Sequence, residues 1–109
     1  MDYRQGYAVL VNTVAETAFA RKVALELLGP ERVTLQAPAL PGSEDFAFML
    51  EKVAGSYLLI GNGDGSDSSP FAGHSACMVH NPGYDFHDAN LPVGAAYWTL
   101  LTQRFLSGD

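Results

Sequence analysis

Three side chains that can offer a lone pair to a metal ion, His74, Cys77 and His80, stand three residues apart, and Asp85, His87 and Asp88 follow closely. Imidazole and thiolate are zinc ligands, so a small site can be drawn from this run alone. A structural zinc site takes four protein ligands with paired short spacings, and here the fourth would have to come from Asp85, His87 or Asp88. The competing reading makes Cys77 a small buried residue and His74 a solvated side chain in a Gly- and Ser-rich loop. A second place for chemistry is Glu44-Asp45, two adjacent carboxylates. Neighbours on a helix point about 100° apart, so their joint use as an acid and base competes with a plainer role in helix-end electrostatics. Gly61 to Gly65, GNGDG, follows a strand-like run but has no lysine, and Asp64 would repel phosphate, so it is not a phosphate loop.

The elements that must position these groups alternate between two patterns. Tyr7 to Val11 (YAVLV) is a short aromatic and β-branched run of strand type. Thr13 with Glu16 three residues on has the form of a capping box, in which hydroxyl and carboxylate each take an orphan amide, and a helix should follow. Val14, Ala18, Val23, Leu25 and Leu28 supply its apolar face, and Gly29-Pro30 its stop. Arg32 to Gln36 alternates like a half-buried strand. Ser43 is placed to cap the next helix, with Glu44 and Asp45 in its first turn, Phe46, Met49, Leu50 and Val53 as its buried stripe, and Gly55 at its end. Ser56 to Gly61 (SYLLIG) is apolar throughout, as a central strand would be. After a Gly-, Ser- and Asp-rich loop, Asn90 and Pro92 sit where an N-cap and a first-turn proline belong. Leu91, Ala95, Trp98, Leu101 and Phe105 then recur at helical spacing until Gly108. Strand, helix, strand, helix, strand, loop and helix in this order imply an α/β fold, with strands covered by helices.

Composition narrows the functional classes. The 109 residues are 48% hydrophobic, enough for a single domain with a core. A net charge of -6, from six basic and twelve acidic residues, offers no footprint for nucleic acid or an anionic membrane. One cysteine forms no internal disulfide, and neither a signal-peptide pattern nor an apolar run of membrane-spanning length is present, so a cytoplasmic protein is expected.

Three stretches, DYRQGYAVLVN, PGSEDFAFMLEKVAGSYLLIGNG and VHNPGYDFHDANLPVGAAYW, resemble in order the C-terminal part of the hippurate hydrolase and N-acyl-amino-acid amidohydrolase group. These are dinuclear metallopeptidases that also include aminoacylases and indole-acetyl-amino-acid hydrolases. The resemblance implies that residues 1–12 end a lid or dimerisation domain and that residues 13–109 close a three-layer catalytic domain. It implies that His80 is a metal ligand and that Glu44 and Asp45 lie near the active site. Two divalent ions (zinc, manganese, cobalt or nickel) are implied in the full-length family, with an N-acyl amino acid or small peptide as substrate. Family members commonly carry asparagine where this chain has His87, which either changes a hydrogen bond beside the site or sits outside it, and the loop before His80 is longer than usual. Only His80 of the expected ligands is present and the general base is absent, so the isolated chain is expected to bind no metal tightly and to be inactive. The alternative is a non-catalytic module that forms homo-oligomers through exposed sheet edges and apolar faces.

Overall fold

The computed structural model describes residues 6–63 and 79–108, arranged as two compact units within Met1–Leu58 and Leu59–Asp109. His74 and Cys77 lie outside the described residues, as do residues 1–5 of the expected lid segment and most of the Gly- and Ser-rich loop.

In the first unit, α1 spans Val14–Leu28 and is built largely of strong helix formers such as Ala, Leu, Glu, Arg and Lys. Thr13 precedes it in an extended conformation, as an N-cap should, but its hydroxyl caps no amide of the helix. The hydroxyl instead donates to the Glu16 carboxylate and accepts the N–H of Gly55 at 2.9 Å, while the Thr13 N–H donates to the Gly55 carbonyl at 3.0 Å. The expected capping box is therefore replaced by a tie to a distant segment. The bond from Thr13 holds the Glu16 carboxyl below its usual range. Gly29 ends α1 at φ 76° and ψ 165°, a conformation open essentially to glycine alone, and its N–H returns to the Leu25 carbonyl at 2.9 Å. Pro30–Arg32 then forms one 3₁₀ turn.

The second helix, α2, is shorter than its sequence pattern promised, spanning Phe46–Leu50. Ser43 does not cap it. Asp45 occupies the N-cap position with helical dihedrals, and the Glu44 side chain takes the Phe46 N–H at 3.2 Å. The Met49 carbonyl accepts from both Lys52 and Val53 at 2.9 Å, closing a turn before Gly55 is reached. A Cβ on Gly55 would stand 3.2 Å from Leu50 Cδ2, so this glycine serves close approach to α2 rather than ending it. Among the described residues the buried apolar ones, Ala20, Val23 and Ala47, all lie in this unit. Of the expected stripes, Val14, Met49 and Val53 are instead exposed, at 86%, 61% and 71%.

In the second unit, α3 spans Asn90–Ser107 and ends at Gly108 in the left-handed conformation, with its N–H on the Arg104 carbonyl. Ala89, not Asn90, is the N-cap residue, and Asn90 opens the helix itself. Its half-buried face carries Val93, Gly94, Tyr97, Leu100, Leu101 and Arg104. This face is rotated by about 100° from the predicted stripe, and Leu91, Trp98 and Phe105 are exposed. Ile60 lies over its face at Gly94.

No strand occurs among the described residues, so the α/β layering expected from Tyr7 to Val11, Arg32 to Gln36 and Ser56 to Gly61 is not seen there. A strand is defined by a ladder to a neighbouring backbone, and in the run at Ser56 to Gly61 the backbone of Tyr57 is paired by the Asn12 side chain instead. No helix among the described residues is long and apolar enough to cross a membrane.

Candidate metal-ligand turn and carboxylate pair

His80 stands exposed at the head of a turn and is the one non-glycine residue with positive φ, 72°, among the described residues. That region costs an L-residue roughly 1–2 kcal/mol, although histidine adopts it more readily than most. The residues after it hold the turn. Asn81 Oδ1 accepts the Gly83 N–H at 2.8 Å, and the Asn81 carbonyl accepts the Tyr84 N–H at 2.9 Å, with Pro82 presetting the corner. The Tyr84 and Phe86 rings then meet edge to face at 4.8 Å.

Asn62 fastens the segment that follows. Its Nδ2 donates to the Asp85 carbonyl at 2.7 Å and its Oδ1 accepts the His87 N–H at 2.8 Å. One side-chain amide thus occupies a donor and an acceptor, as a strand neighbour would. Asn90 Nδ2 adds a bond to the Gly61 carbonyl at 2.9 Å. His87 is half-buried, and its Nδ1 accepts the Ala89 N–H at 3.2 Å. Sequence reasoning misses Asn62, because GNGDG invites comparison only with a phosphate loop. The available signal was an amide side chain beside Gly63, whose φ of 82° marks a turn.

In the first unit the adjacent carboxylates separate in role. Glu44 is half-buried and held at both oxygens, by the Phe46 N–H at 3.2 Å and by the Tyr57 hydroxyl, which donates at 3.1 Å. This bond to Glu44 pushes the Tyr57 phenol above its usual range. Tyr57 is itself gripped by Asn12, whose Oδ1 accepts its N–H at 2.7 Å and whose Nδ2 donates to its carbonyl at 3.0 Å. Asp45 is exposed and borders an open apolar depression of about 770 Å³ that also includes Phe46, Phe48, Met49, Lys52 and Val53. Tyr57 and Asn12 carry no chemical motif, so nothing in the sequence marked them.

Among the described residues no group of three His, Cys, Asp or Glu side chains could hold an ion. His80 is exposed and belongs to no such group. The zinc reading that joined it to His74 and Cys77 falls outside the described residues.

Residues 1–104 match the family model described as Peptidase family M20/M25/M40. The chain belongs to this peptidase family. It is 33% identical over 101 residues to the Arabidopsis thaliana protein IAA-amino acid hydrolase ILR1-like 6, covering 93% of this chain and 20% of that protein. It is also 33% identical over 86 residues to IAA-amino acid hydrolase ILR1-like 2 of the same plant, covering 79% of this chain and 18% of that protein. IAA-amino acid hydrolase ILR1-like 4 is 30% identical over 96 residues, covering 88% of this chain and 20% of that protein. The chain therefore spans about a fifth of the length of these curated relatives. No solved structure matches with comparable significance.

Proposed function

We propose that this chain is the C-terminal part of a metal-dependent amidohydrolase that cleaves the amide bond of N-acyl amino acids, hippurate-like substrates or small peptides, and that it is inactive alone. The observation that carries the reading is His80, exposed on a turn built by its neighbours in a chain that matches the family from residue 1 to 104. The names of the Arabidopsis relatives support amide hydrolysis of an amino acid conjugate. In this reading residues 1–12 end a lid domain, residues 13–109 close a three-layer α/β catalytic domain, and the runs at 7–11 and 56–61 complete their ladders with other segments of the full enzyme.

His80 would be one ligand to a pair of divalent ions (zinc, manganese, cobalt or nickel). The chemistry that such a pair would supply when bound is activation of a water and polarisation of the scissile carbonyl. The part played by this chain is positional. The Asn81-Pro82-Gly83 turn presents the imidazole, and Asn62 anchors the segment behind it. Glu44, fixed at both oxygens, serves as a brace for the wall near the substrate, and exposed Asp45 is the carboxylate left to meet it.

The test is a chimaera in which this chain replaces the matching segment of IAA-amino acid hydrolase ILR1-like 6. Metal-dependent hydrolysis of an N-acyl amino acid should persist and should fall by more than about a hundredfold in His80→Ala, beyond what loss of an outer partner costs. Full activity in His80→Ala would remove the ligand role. Activity of the isolated chain that depends on His80 would overturn its proposed inactivity.

A second reading, a module that assembles into homo-oligomers, is favoured by the large apolar side chains left exposed, among them Leu91, Trp98 and Phe105 on α3. Light scattering that stays monomeric across a wide concentration range would exclude it.

A further inference from the structure

We propose that Asn62 is a self-modification site, at which the Gly63 backbone nitrogen attacks the Asn62 side-chain amide and the resulting acid frees the segment that Asn62 holds. Gly63 is exposed, carries no side chain to hinder approach, and among the described residues its N–H is given to no acceptor. The three other asparagines of the chain lack such a neighbour. After Asn12 the Thr13 N–H is held by the Gly55 carbonyl at 3.0 Å, and after Asn90 the Leu91 N–H is held by the Asp88 carbonyl at 3.1 Å. Asn81 is followed by Pro82, which has no N–H to give up.

Water is the co-reactant. The Gly63 nitrogen loses its proton and bonds to Asn62 Cγ, closing a cyclic imide. The Cγ–Nδ2 bond breaks, and ammonia leaves with that proton. Water then opens the ring. Its attack at Cγ gives aspartate at position 62, and its attack at the backbone carbonyl gives isoaspartate, whose main chain runs through Cγ. The net change is amide plus water to acid plus ammonia, and nothing is oxidised or reduced.

The grip of Asn62 sets both the pace of the reaction and its consequence. Nδ2 donates to the Asp85 carbonyl at 2.7 Å and Oδ1 accepts the His87 N–H at 2.8 Å. An amide held at both ends turns toward its own backbone only when those bonds open, so the folded chain reacts more slowly than an unfolded one. Neither product remakes the grip. A carboxylate has no hydrogen to donate, and its charge then faces the Asp85 carbonyl oxygen. The isoaspartate form also lengthens the main chain at this point. The segment at residues 85–87, which follows the His80 turn, is therefore released in one direction only, whether or not His80 binds a metal.

The experiment is peptide mass mapping of the unaltered 109-residue chain held in mildly alkaline buffer, beside Asn62→Gln, whose longer side chain must close a larger ring. The unaltered chain should gain the mass of an amide-to-acid conversion at position 62 ahead of positions 12, 81 and 90, while Asn62→Gln keeps its mass. Isomerisation at Asp64 leaves the mass unchanged and is not confused with it. In the converted chain, His87 amide protection should fall about fivefold, the worth of one net hydrogen bond. Asn62 left intact after a free peptide of residues 59–65 has converted would overturn the proposal, and so would conversion at Asn12 or Asn90 as fast as at Asn62. Conversion with His87 protection unchanged would overturn the release. Both readings are taken on the unaltered chain, so they decide the matter even where the variant fails to fold.

Discussion

Asn12 and Asn62 meet the same need in two different settings. Each turns a side-chain amide into a stand-in for a strand neighbour, Asn12 on both backbone groups of Tyr57 and Asn62 on Asp85 and His87. Around Asn12 the tie is reinforced by Thr13 on Gly55, and the same unit encloses Ala20, Val23 and Ala47. The second unit encloses no residue fully among those described, and its longest helix keeps Leu91, Trp98 and Phe105 largely exposed. The difference teaches that the first unit draws on both burial and hydrogen bonds, whereas the second, which holds His80 and His87, relies mainly on polar ties.

The strongest way to break this comparison is to cut a side chain in each unit. Val23→Ala, at a residue 1% exposed, should lower stability by about 2 kcal/mol in urea unfolding. Trp98→Ala, at 66% exposure, removes more atoms yet should change it by no more than about 0.5 kcal/mol. Equal losses would mean that α3 is packed in solution and that the contrast is wrong.

Next in size are the asparagines. Asn62→Ala removes a donor and an acceptor, and should cost about 1–2 kcal/mol, read as faster amide exchange at His87. Asn12→Ala should cost less, about 1 kcal/mol, because Thr13 still ties α1 to Gly55. A larger loss at Asn12 would reverse the ranking.

His80 separates conformation from chemistry. With φ at 72°, His80→Gly should be more stable than His80→Ala by about 0.5–1 kcal/mol, although both lack the imidazole. Equal stability would show that the turn relaxes in solution.

The smallest effect is electrostatic. Tyr57 donates to Glu44, and this raises its pKa. The folded state therefore favours the neutral phenol, so the contribution is complete below the unfolded value near 10 and is lost as pH rises through the higher folded one. An ultraviolet titration should move the Tyr57 transition to lower pH in Glu44→Gln. No movement would release Glu44 from its assigned brace.

How much of this was legible in the sequence depended on whether the signal was local. The ends of α1 and α3 could be read because Gly29 and Gly108 meet a conformational demand within their own turn. Helical periodicity gave α3 its length but not its buried face, and it carries no sign of the bonds by which Asn62 and Asn90 tie this region to residues 23 to 29 positions away. The strand-like runs kept their apolar patterns, but a pattern makes no ladder without a neighbouring backbone. The three quoted stretches carried the family, and residues 1–104 match it. Of the candidate site, the residue types of His80, Glu44 and Asp45 were visible, while the partners that orient them, Asn81 and Tyr57, are ordinary residues whose importance comes from position.

The measurement that tests the central claim most directly is a calorimetric titration of the purified chain with zinc, beside His80→Ala and Cys77→Ala. If His80 is one ligand of a site completed elsewhere, the chain binds zinc no more tightly than a surface histidine does, and neither substitution changes the heat appreciably. Tight, stoichiometric binding that disappears in both variants would contradict this, and would make the loop around His80 a metal site in its own right.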